Sequence, residues 1–178
     1  MEEKHLIESC VRGEPWAQKM MYELYAEAMF SICQRYVCNR DTARDLLHDG
    51  FVKLFSKIRN YSGSGSFNGW IRRIFVTTVL EYLRHNDVLR NSIEIDNYDF
   101  DIPEDDASPF EHLSADDLLK CIAGLTDGYR TVFNMYAIER YSHTEIAEHL
   151  NISEGASRSQ YAKARRQLQK MLIKLVDN

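Results

Sequence analysis

The sequence contains few residues that break helices and no segment typical of a secreted or membrane-spanning protein. Only three of its 178 residues are proline. No apolar run approaches the roughly 20 residues that cross a bilayer. Residues 1–10, MEEKHLIESC, lack the apolar core of a signal peptide. The sequence therefore predicts a cytoplasmic protein.

The four cysteines show neither a disulfide framework nor a metal site. Cys10, Cys33, Cys38 and Cys121 form no CxxC pair and no cluster with metal-ligand spacing. Cys33 and Cys38 are about 140° apart around a helix, so they do not share a face. We expect four small buried thiols in a reducing compartment.

No residue set for catalysis is visible either. His143 and His149 lie in HTEIAEH, which superficially resembles a metalloprotease helix. Their spacing places them about 240° apart around the helix, whereas zinc needs histidines at i and i+4 and a third ligand. The sequence offers no pairing of a nucleophile with a base. It predicts no enzyme, no metal, no cofactor and no small-molecule substrate.

The acidic net charge of −5 is concentrated in one segment. Residues 1–92 carry 13 basic and 11 acidic side chains, and residues 118–178 carry nine basic and six acidic ones. Residues 93–117 carry ten acidic side chains and no Lys or Arg. This stretch includes Pro103 and Pro109 and lacks helical periodicity, which is typical of a linker. We therefore predict domains at 1–92 and 114–178, joined by an acidic linker at 93–113.

The N-terminal part shows helical periodicity throughout. Residues 2–11 favour a short helix, and Gly13 and Pro15 mark a stop and a restart. A second helix is predicted from Trp16 to about Val37, with apolar positions at Met20, Met21, Leu24, Tyr25, Ala28, Ile32 and Tyr36. A third begins after a cap at Asn39 or Asp41, with its stripe at Ala43, Leu46, Leu47, Phe51, Leu54 and Ile58. After the loop YSGSGSF, a fourth helix is predicted, with one side formed by Trp70, Ile71, Ile74, Phe75, Val79, Tyr82 and Leu83.

The C-terminal part also reads as helices. Ser114 is a predicted cap for the first, and TDGYRTVFNMYAIER is the second. Residues 143–150 form the third, and residues 154–176 form the fourth. We see no strand pattern, so the predicted fold is all-α, with two small helical bundles.

The last two helices are predicted to form a helix-turn-helix. Ile146, Ala147 and Leu150 would be the inner face of the first helix, and Ser153 would cap the second. The buried stripe of the second helix is predicted at Ser157, Tyr161, Ala164, Leu168, Met171 and Leu175. The residues on the outward side of this helix could contact base edges and phosphates in a DNA major groove. They are Arg158, Ser159, Ala162, Lys163, Arg165 and Arg166.

Two N-terminal stretches are ambiguous when each is taken alone. ARDLLHDGFVKLF is an amphipathic helix that could serve core packing or partner binding. SFNGWIRRIFVTTVLEYLRHN interleaves arginines with aromatic residues, which can stack single-stranded bases but more often form a core.

In this order, the stretches resemble the extracytoplasmic-function (ECF) sigma factors, the small two-domain sigma subunits of bacterial RNA polymerase. DTARDLLHDGFVKLF resembles the polymerase-binding helix of that family, and YSGSGSFNGWIRRIFVTTVLEYLR resembles its segment for promoter melting and the minus-ten element. YSHTEIAEHLNISEGASRSQYAKARRQLQKML resembles its reader of the minus-thirty-five element. The sequence SEGASRSQYAKAR within this stretch is most similar to that of family members from Bacteroidetes-type bacteria.

The resemblance implies partners and roles for named residues. It implies binding to the core polymerase, at the clamp region of the largest subunit, through Asp45, Leu47, His48, Asp49, Phe51 and Lys53. Loop 61–66 and the following helix would capture a flipped base and melt promoter DNA through Ser64, Phe67, Asn68, Trp70, Arg73 and Thr77. An anti-sigma factor is a further implied partner.

The chain departs from the family pattern at four places. His48 stands where Gln is usual, and Gly50 stands where a larger residue is usual. Val76 and Thr77 replace a common Arg-Asn pair, and Ser157 replaces a common Val. The alternative function is a helix-turn-helix regulator that acts without polymerase, which would be expected to carry a ligand pocket or dimerisation domain in its N-terminal half.

Overall fold

The computed structural model describes residues 3–86 and 115–176, in two compact units divided after Tyr82. Both units are built of helices, and no strand occurs in the described ranges. The predicted all-α class with two helical bundles is therefore confirmed. The predicted linker at 93–113 and the predicted cap Ser114 lie outside the described residues.

The N-terminal unit contains four α-helices. They are α1 Glu3–Val11, α2 Pro15–Val37, α3 Arg40–Lys57, which ends in a 3₁₀ turn at Ile58–Asn60, and α4 Phe67–His85. Pro15 occupies the first turn of α2, where its missing N–H costs no hydrogen bond. Asn39 caps α3, because its side chain accepts a 2.9 Å hydrogen bond from the Thr42 amide.

The core of this unit follows the predicted stripe of α3 and departs from that of α2. All six predicted α3-stripe residues are buried. On α2, Leu24 and Ala28 are wrong as core residues, since both are exposed, the Leu24 side chain by 63%. Leu24 lies about 60° around the helix from Met21, on the side away from buried Tyr36. The buried face is thus rotated toward Tyr36 and includes Ala17, Met21, Met29, Ile32, Cys33 and Tyr36.

Helices α3 and α4 approach closely at Gly50. A Cβ atom built on Gly50 would lie 2.2 Å from Cε1 of Phe75, whose side chain is fully buried. Lys53 Nζ and Glu81 Oε2 join the same two helices at the surface, 2.5 Å apart. The glycine inside α3 is therefore the space into which the Phe75 ring packs.

The C-terminal unit contains four further helices. They are α5 Ala115–Ala123, α6 Asp127–Phe133, which continues as a π-helical turn at Asn134–Ile138, α7 His143–Leu150 and α8 Glu154–Val176. Arg130 is buried and donates hydrogen bonds to the carbonyl oxygens of Ala123 and Leu125, at 3.2 and 2.6 Å. It also pairs with Asp127, so one guanidinium joins the end of α5 to the start of α6.

The hydrophobic core of this unit lies between α5, α6 and α8. Its buried members are Cys121, Ile122, Leu125, Ala164, Leu168 and Leu172. The predicted stripe of α8 is correct at Ser157, Ala164 and Leu168 but wrong at Leu175, which is 48% exposed. Leu172 is buried in its place, because steps of four residues from Ala164 to Leu168 and Leu172 follow the core-facing side.

Three of the four cysteines are buried, as expected, and one is not. Cys10, Cys33 and Cys121 are buried, and burial raises the pKa of each thiol, that of Cys33 to about 12. Cys38 is exposed and follows the last residue of α2 in a left-handed conformation, with φ of 53°. All four are free thiols.

Candidate nucleic-acid interface

Local side-chain caps build the helix-turn-helix from its own sequence. The Ser142 side chain accepts a hydrogen bond from the Glu145 amide, and the Glu145 carboxylate accepts one from the Ser142 amide, which forms a capping box for α7. Asn151 ends α7 in the left-handed region, with φ of 55°. The predicted Ser153 cap is present, with its Oγ accepting from the Ala156 amide at 3.0 Å. The turn between α7 and α8 is therefore specified within a few residues.

Helix α8 presents the residues predicted to touch DNA on its outer side. Arg158, Arg165 and Arg166 are exposed, and Ser159, Ala162 and Lys163 are half-buried. Ser159, Ala162 and Arg166 lie opposite fully buried Ser157 when 100° is allowed per residue. Of the six predicted residues, the three arginines are therefore exposed, whereas Ser159, Ala162 and Lys163 are partly covered.

An ion pair holds Arg158 at the start of this face. Glu154 Oε1 lies 2.6 Å from Arg158 Nη2 and accepts a further hydrogen bond from its Nε at 3.2 Å. Thr144 on α7 donates to Glu154 Oε2 at 3.2 Å. These hydrogen bonds lower the pKa of Glu154, so the carboxylate that orients the arginine stays charged.

A second, buried link joins the same helices and was not predicted from the sequence. His143 Nδ1 lies 2.9 Å from Ser157 Oγ, and the imidazole stacks on the Tyr136 ring with centroids 4.2 Å apart. Burial, with a smaller effect of the Arg158 charge, lowers the pKa of His143, while Glu154 opposes the shift. The departure at Ser157 was the only sequence signal for this contact.

In the N-terminal unit, a short loop and an aromatic cluster lie together. Gly63 and Gly65 adopt φ of 78° and 80°, values that favour glycine. The Tyr61 hydroxyl closes the loop by donating to the Gly65 carbonyl oxygen at 2.9 Å. The Tyr61 and Trp70 ring centroids are 5.4 Å apart, and those of Phe67 and Trp70 are 5.7 Å apart.

The structure divides the predicted minus-ten residues into an exposed set and a buried one. Ser64, Asn68 and Arg73 are exposed, whereas Trp70 and Thr77 are half-buried. Phe67 is 1% exposed, so its ring is part of the core and cannot itself stack on a base. Its edge contacts with Tyr25 and Tyr61 explain why: a large apolar ring at the first residue of α4 is enclosed by α2 and the loop.

The predicted polymerase-binding residues on α3 divide in the same way. Asp45, His48 and Asp49 are exposed. Leu47 and Phe51 are 7% and 4% exposed, so they hold the helix in its own core and present no surface to a partner. The ammonium of Lys53 is engaged by Glu81 of α4.

Four large apolar side chains in this unit are exposed, and the surface positions of the two most exposed were not predicted from the sequence. Val52 is 69% exposed, on the α3 face that carries His48 and Asp49, and Leu24 is 63% exposed on α2. The i, i+3 and i, i+4 spacing of Val52 from Asp49 and His48 could have indicated its position.

Within the described residues, no group of three or more His, Cys, Asp or Glu side chains could hold a metal ion. Across residues 3–86 and 115–176, no helix has the length and apolar character needed to cross a membrane.

Two family models match successive parts of the chain. The model of Sigma-70 region 2 matches residues 21–88, and the model of Sigma-70 region 4 matches residues 115–168. Together they cover more than half of the sequence, in the order that the motifs predict.

Similar curated proteins carry related names. The ECF RNA polymerase sigma factor SigE of Mycolicibacterium smegmatis is 28% identical over 155 residues, which cover 84% of this chain and 59% of that protein. The ECF RNA polymerase sigma-E factor of Haemophilus influenzae is 25% identical over 192 residues, which cover 99% of this chain and 98% of that protein. The chain therefore spans 59% of the mycobacterial relative and nearly the whole of the other.

Two solved structures share the fold. The sigma factor RpoE of Bartonella quintana, solved in complex with the anti-sigma factor NepR, has a TM-score of 0.54 and 19% identity over 86% of this chain and 95% of its own. CnrH, solved in complex with the cytosolic domain of CnrY, has a TM-score of 0.53 and 17% identity over 97% of both chains.

Proposed function

The chain belongs to the ECF RNA polymerase sigma factors, and we propose that its two helical units divide promoter recognition between them. It is an alternative sigma factor that directs transcription initiation. The observation that carries this conclusion is the order of a region 2 unit and a region 4 unit in one chain. Sigma factors act as initiation factors rather than as catalysts.

The C-terminal domain predicted at residues 114–178 is proposed to read the minus-thirty-five element. Three exposed arginines and a half-buried lysine line the outer face of α8, where they can reach phosphates and guanine edges. The small side chains of Ser159 and Ala162 let the helix backbone approach the base pairs. The ion pair with Glu154 supports a pre-oriented Arg158 at the start of the recognition helix.

The N-terminal domain predicted at residues 1–92 is proposed to open the minus-ten region. Ser64 and Asn68 are exposed hydrogen-bonding residues close in sequence to the half-buried Trp70, and Arg73 can pair with a phosphate. A base stacked on an aromatic ring contributes about 1–3 kcal/mol, which helps to hold a melted strand. Phe67 supports this site from below, as a buried neighbour of Trp70.

The exposed face of α3 is proposed to bind core polymerase at the clamp of the largest subunit. Asp45 and Asp49 would face basic residues there, with His48 between them. Exposed Val52 adds an apolar contact on the same face. Leu47 and Phe51 hold the helix in place without touching the partner.

Three further proposals concern setting and regulation. The protein acts in the cytoplasm, where core polymerase and promoter DNA are. It is held inactive by an anti-sigma factor, as the complexes of the two similar structures suggest by analogy. The sequence SEGASRSQYAKAR at the turn and in α8 supports placing the protein in a Bacteroidetes-like subgroup of the family.

Transcription with purified bacterial core RNA polymerase tests the function. A promoter fragment is first selected from a random duplex library by the reconstituted holoenzyme. We expect the protein to bind core and to support initiation on that fragment. A protein that binds duplex DNA tightly alone but neither binds core nor supports initiation would instead be a helix-turn-helix regulator.

The division of roles predicts the behaviour of α8 variants. Arg158→Ala and Lys163→Ala should each reduce promoter-directed initiation about tenfold, since a lost base or phosphate contact costs about 1–3 kcal/mol. Core affinity, measured by fluorescence anisotropy, should be unchanged. Lys120→Ala, at an exposed residue of α5, is the charge-matched control and should leave both unchanged. Weaker core binding by the two α8 variants would refute the division.

A further inference from the structure

A buried hydrogen bond joins the two helices of the helix-turn-helix. His143 Nδ1 on α7 and Ser157 Oγ on α8 are 2.9 Å apart. Ser157 has no exposed surface, and His143 is 8% exposed. Buried polar groups of this kind need a partner, and breaking the pair would leave the other group unsatisfied.

The contact lies where the buried side chains of α8 are small or polar. At the start of α8, Ser157 is fully buried and Gln160 is 2% exposed, and Ala164 follows nearly two turns after Ser157. The Tyr161 ring of α8 adds aromatic contacts to Tyr136 and His143. To this packing the hydrogen bond between His143 and Ser157 adds a directional contact, which depends on the rotation of α8 about its axis.

We infer that neutral His143 is a positioning residue, which sets the rotation of α8 through Ser157 and thereby aims Arg158 and Ser159 at the DNA. Those two residues directly follow Ser157 in the sequence, so the rotation that the bond fixes is also theirs. The inference rests on the proposed minus-thirty-five role of α8.

The surroundings of the imidazole favour its neutral form. Tyr136 stacks on one face, and Tyr161 meets it edge-on with centroids 5.9 Å apart. Arg158 on α8 disfavours a positive charge there, and Glu154 on α8 opposes that effect. Arg140 and Arg165 add further positive charge around the neighbouring Tyr161 hydroxyl.

The sign of the pH effect follows from that environment. Folding and burial lower the pKa of His143 below its ordinary value of about 6.5. Its stabilising contribution is therefore complete above about pH 6.5 and is lost as the pH falls through the lowered pKa. A charged imidazole is disfavoured here by burial and by the Arg158 charge, so protonation should weaken the packing of α7 on α8, and promoter affinity should fall with it.

The test uses full-length holoenzyme and the selected promoter fragment, with affinity measured between pH 5 and 8. His143→Phe keeps the stacked ring but removes the hydrogen bond, and Ser157→Ala removes the hydroxyl. His143→Asn places an amide where Nδ1 lies and cannot titrate. His149→Phe changes a half-buried histidine of the same helix and is the matched control.

We expect His143→Phe and Ser157→Ala to weaken promoter binding about tenfold at pH 7.5, and the double variant to be no weaker than either single one. His143→Asn should recover to within about threefold of wild type. The acid-side loss of affinity should disappear in His143→Asn and persist in His149→Phe. Additive effects, or superimposable pH profiles for wild type and His143→Asn, would overturn the inference.

A separate experiment distinguishes failure of this inference from failure of the proposed minus-thirty-five role. If scrambling the upstream element of the promoter does not change wild-type affinity, the minus-thirty-five role is wrong. The inference is then decided by NMR of the full chain, from the amide shifts of Arg158 and Ser159 across the His143 titration. Shifts that follow the His143 pKa support positioning, and shifts that do not follow it overturn it.

Discussion

Gly50 shows how one residue sets the distance between two helices. Glycine inside a helix costs up to about 1 kcal/mol relative to alanine, and the ECF family usually has a larger residue here. The structure gives the compensating reason, because the Phe75 ring occupies the volume that a Cβ would need. Phe51 packs against the same ring, with centroids 5.2 Å apart, so Phe75 has little room to withdraw.

Gly50→Ala should therefore destabilise the N-terminal unit by about 1–3 kcal/mol, the usual cost of overpacking a core. Urea unfolding followed by tryptophan fluorescence measures this, since both tryptophans, Trp16 and Trp70, lie in that unit. Gly69→Ala is the matched control, because its Cβ would meet nothing closer than 3.9 Å. A Gly50→Ala variant as stable as Gly69→Ala would contradict the packing argument.

At the scale of a helix, α8 serves two surfaces with different requirements. Its first half carries the proposed DNA face and packs through small or polar side chains such as Ser157 and Gln160. Its second half packs through Leu168 and Leu172 onto α5 and α6. The hydrophobic anchoring of the helix therefore lies away from the surface that would meet DNA.

This arrangement predicts unequal effects for two leucines near the end of α8. Leu172→Ala should cost about 2–5 kcal/mol of unfolding free energy, as is usual for a buried leucine. Leu175→Ala should cost less than about 1 kcal/mol, because that side chain is half exposed. Hydrogen exchange of the amides in residues 115–176 measures both. Equal effects would mean that the buried face runs through Leu175, as the heptad-like spacing had predicted.

At the scale of the whole chain, charge is separated by segment. The ten acidic side chains of residues 93–117 outweigh the mildly basic segments on either side. A local acidic segment tethered to a DNA-binding unit reduces non-specific affinity for phosphates, and salt screens this effect over about 10 Å at 0.1 M ionic strength.

Neutralising three of these residues, as Glu104→Gln, Asp105→Asn and Asp106→Asn, should tighten non-specific binding of the free protein to duplex DNA about three- to tenfold at low salt. The difference should shrink toward none at 0.5 M salt. Fluorescence anisotropy with a random-sequence duplex measures both conditions. Glu23→Gln, Glu27→Gln and Asp41→Asn, all exposed in the N-terminal unit, form the control with the same charge change. Equal tightening by both triple variants would make total charge, rather than the linker, the cause.

Much of this protein could be predicted from its sequence because the responsible interactions are local. Helical spacing and caps act within a few residues, so the Ser153 cap and the α3 stripe were correctly predicted, and Asn39 was one of the two candidate caps for α3. The family could also be predicted from the sequence, because it is indicated by the order of the motifs along the chain.

Other features depend on which element lies opposite a given side chain, and only the tertiary structure decided them. Leu24 and Leu175 have apolar spacing but are left exposed by residues 3–86 and 115–176, whereas Phe67 is enclosed by α2 and the 61–66 loop. The pairing of His143 with Ser157 joins residues 14 apart through the turn between two helices. Periodicity specifies a face within one helix, but burial and hydrogen bonding between helices depend on how those faces are rotated against each other.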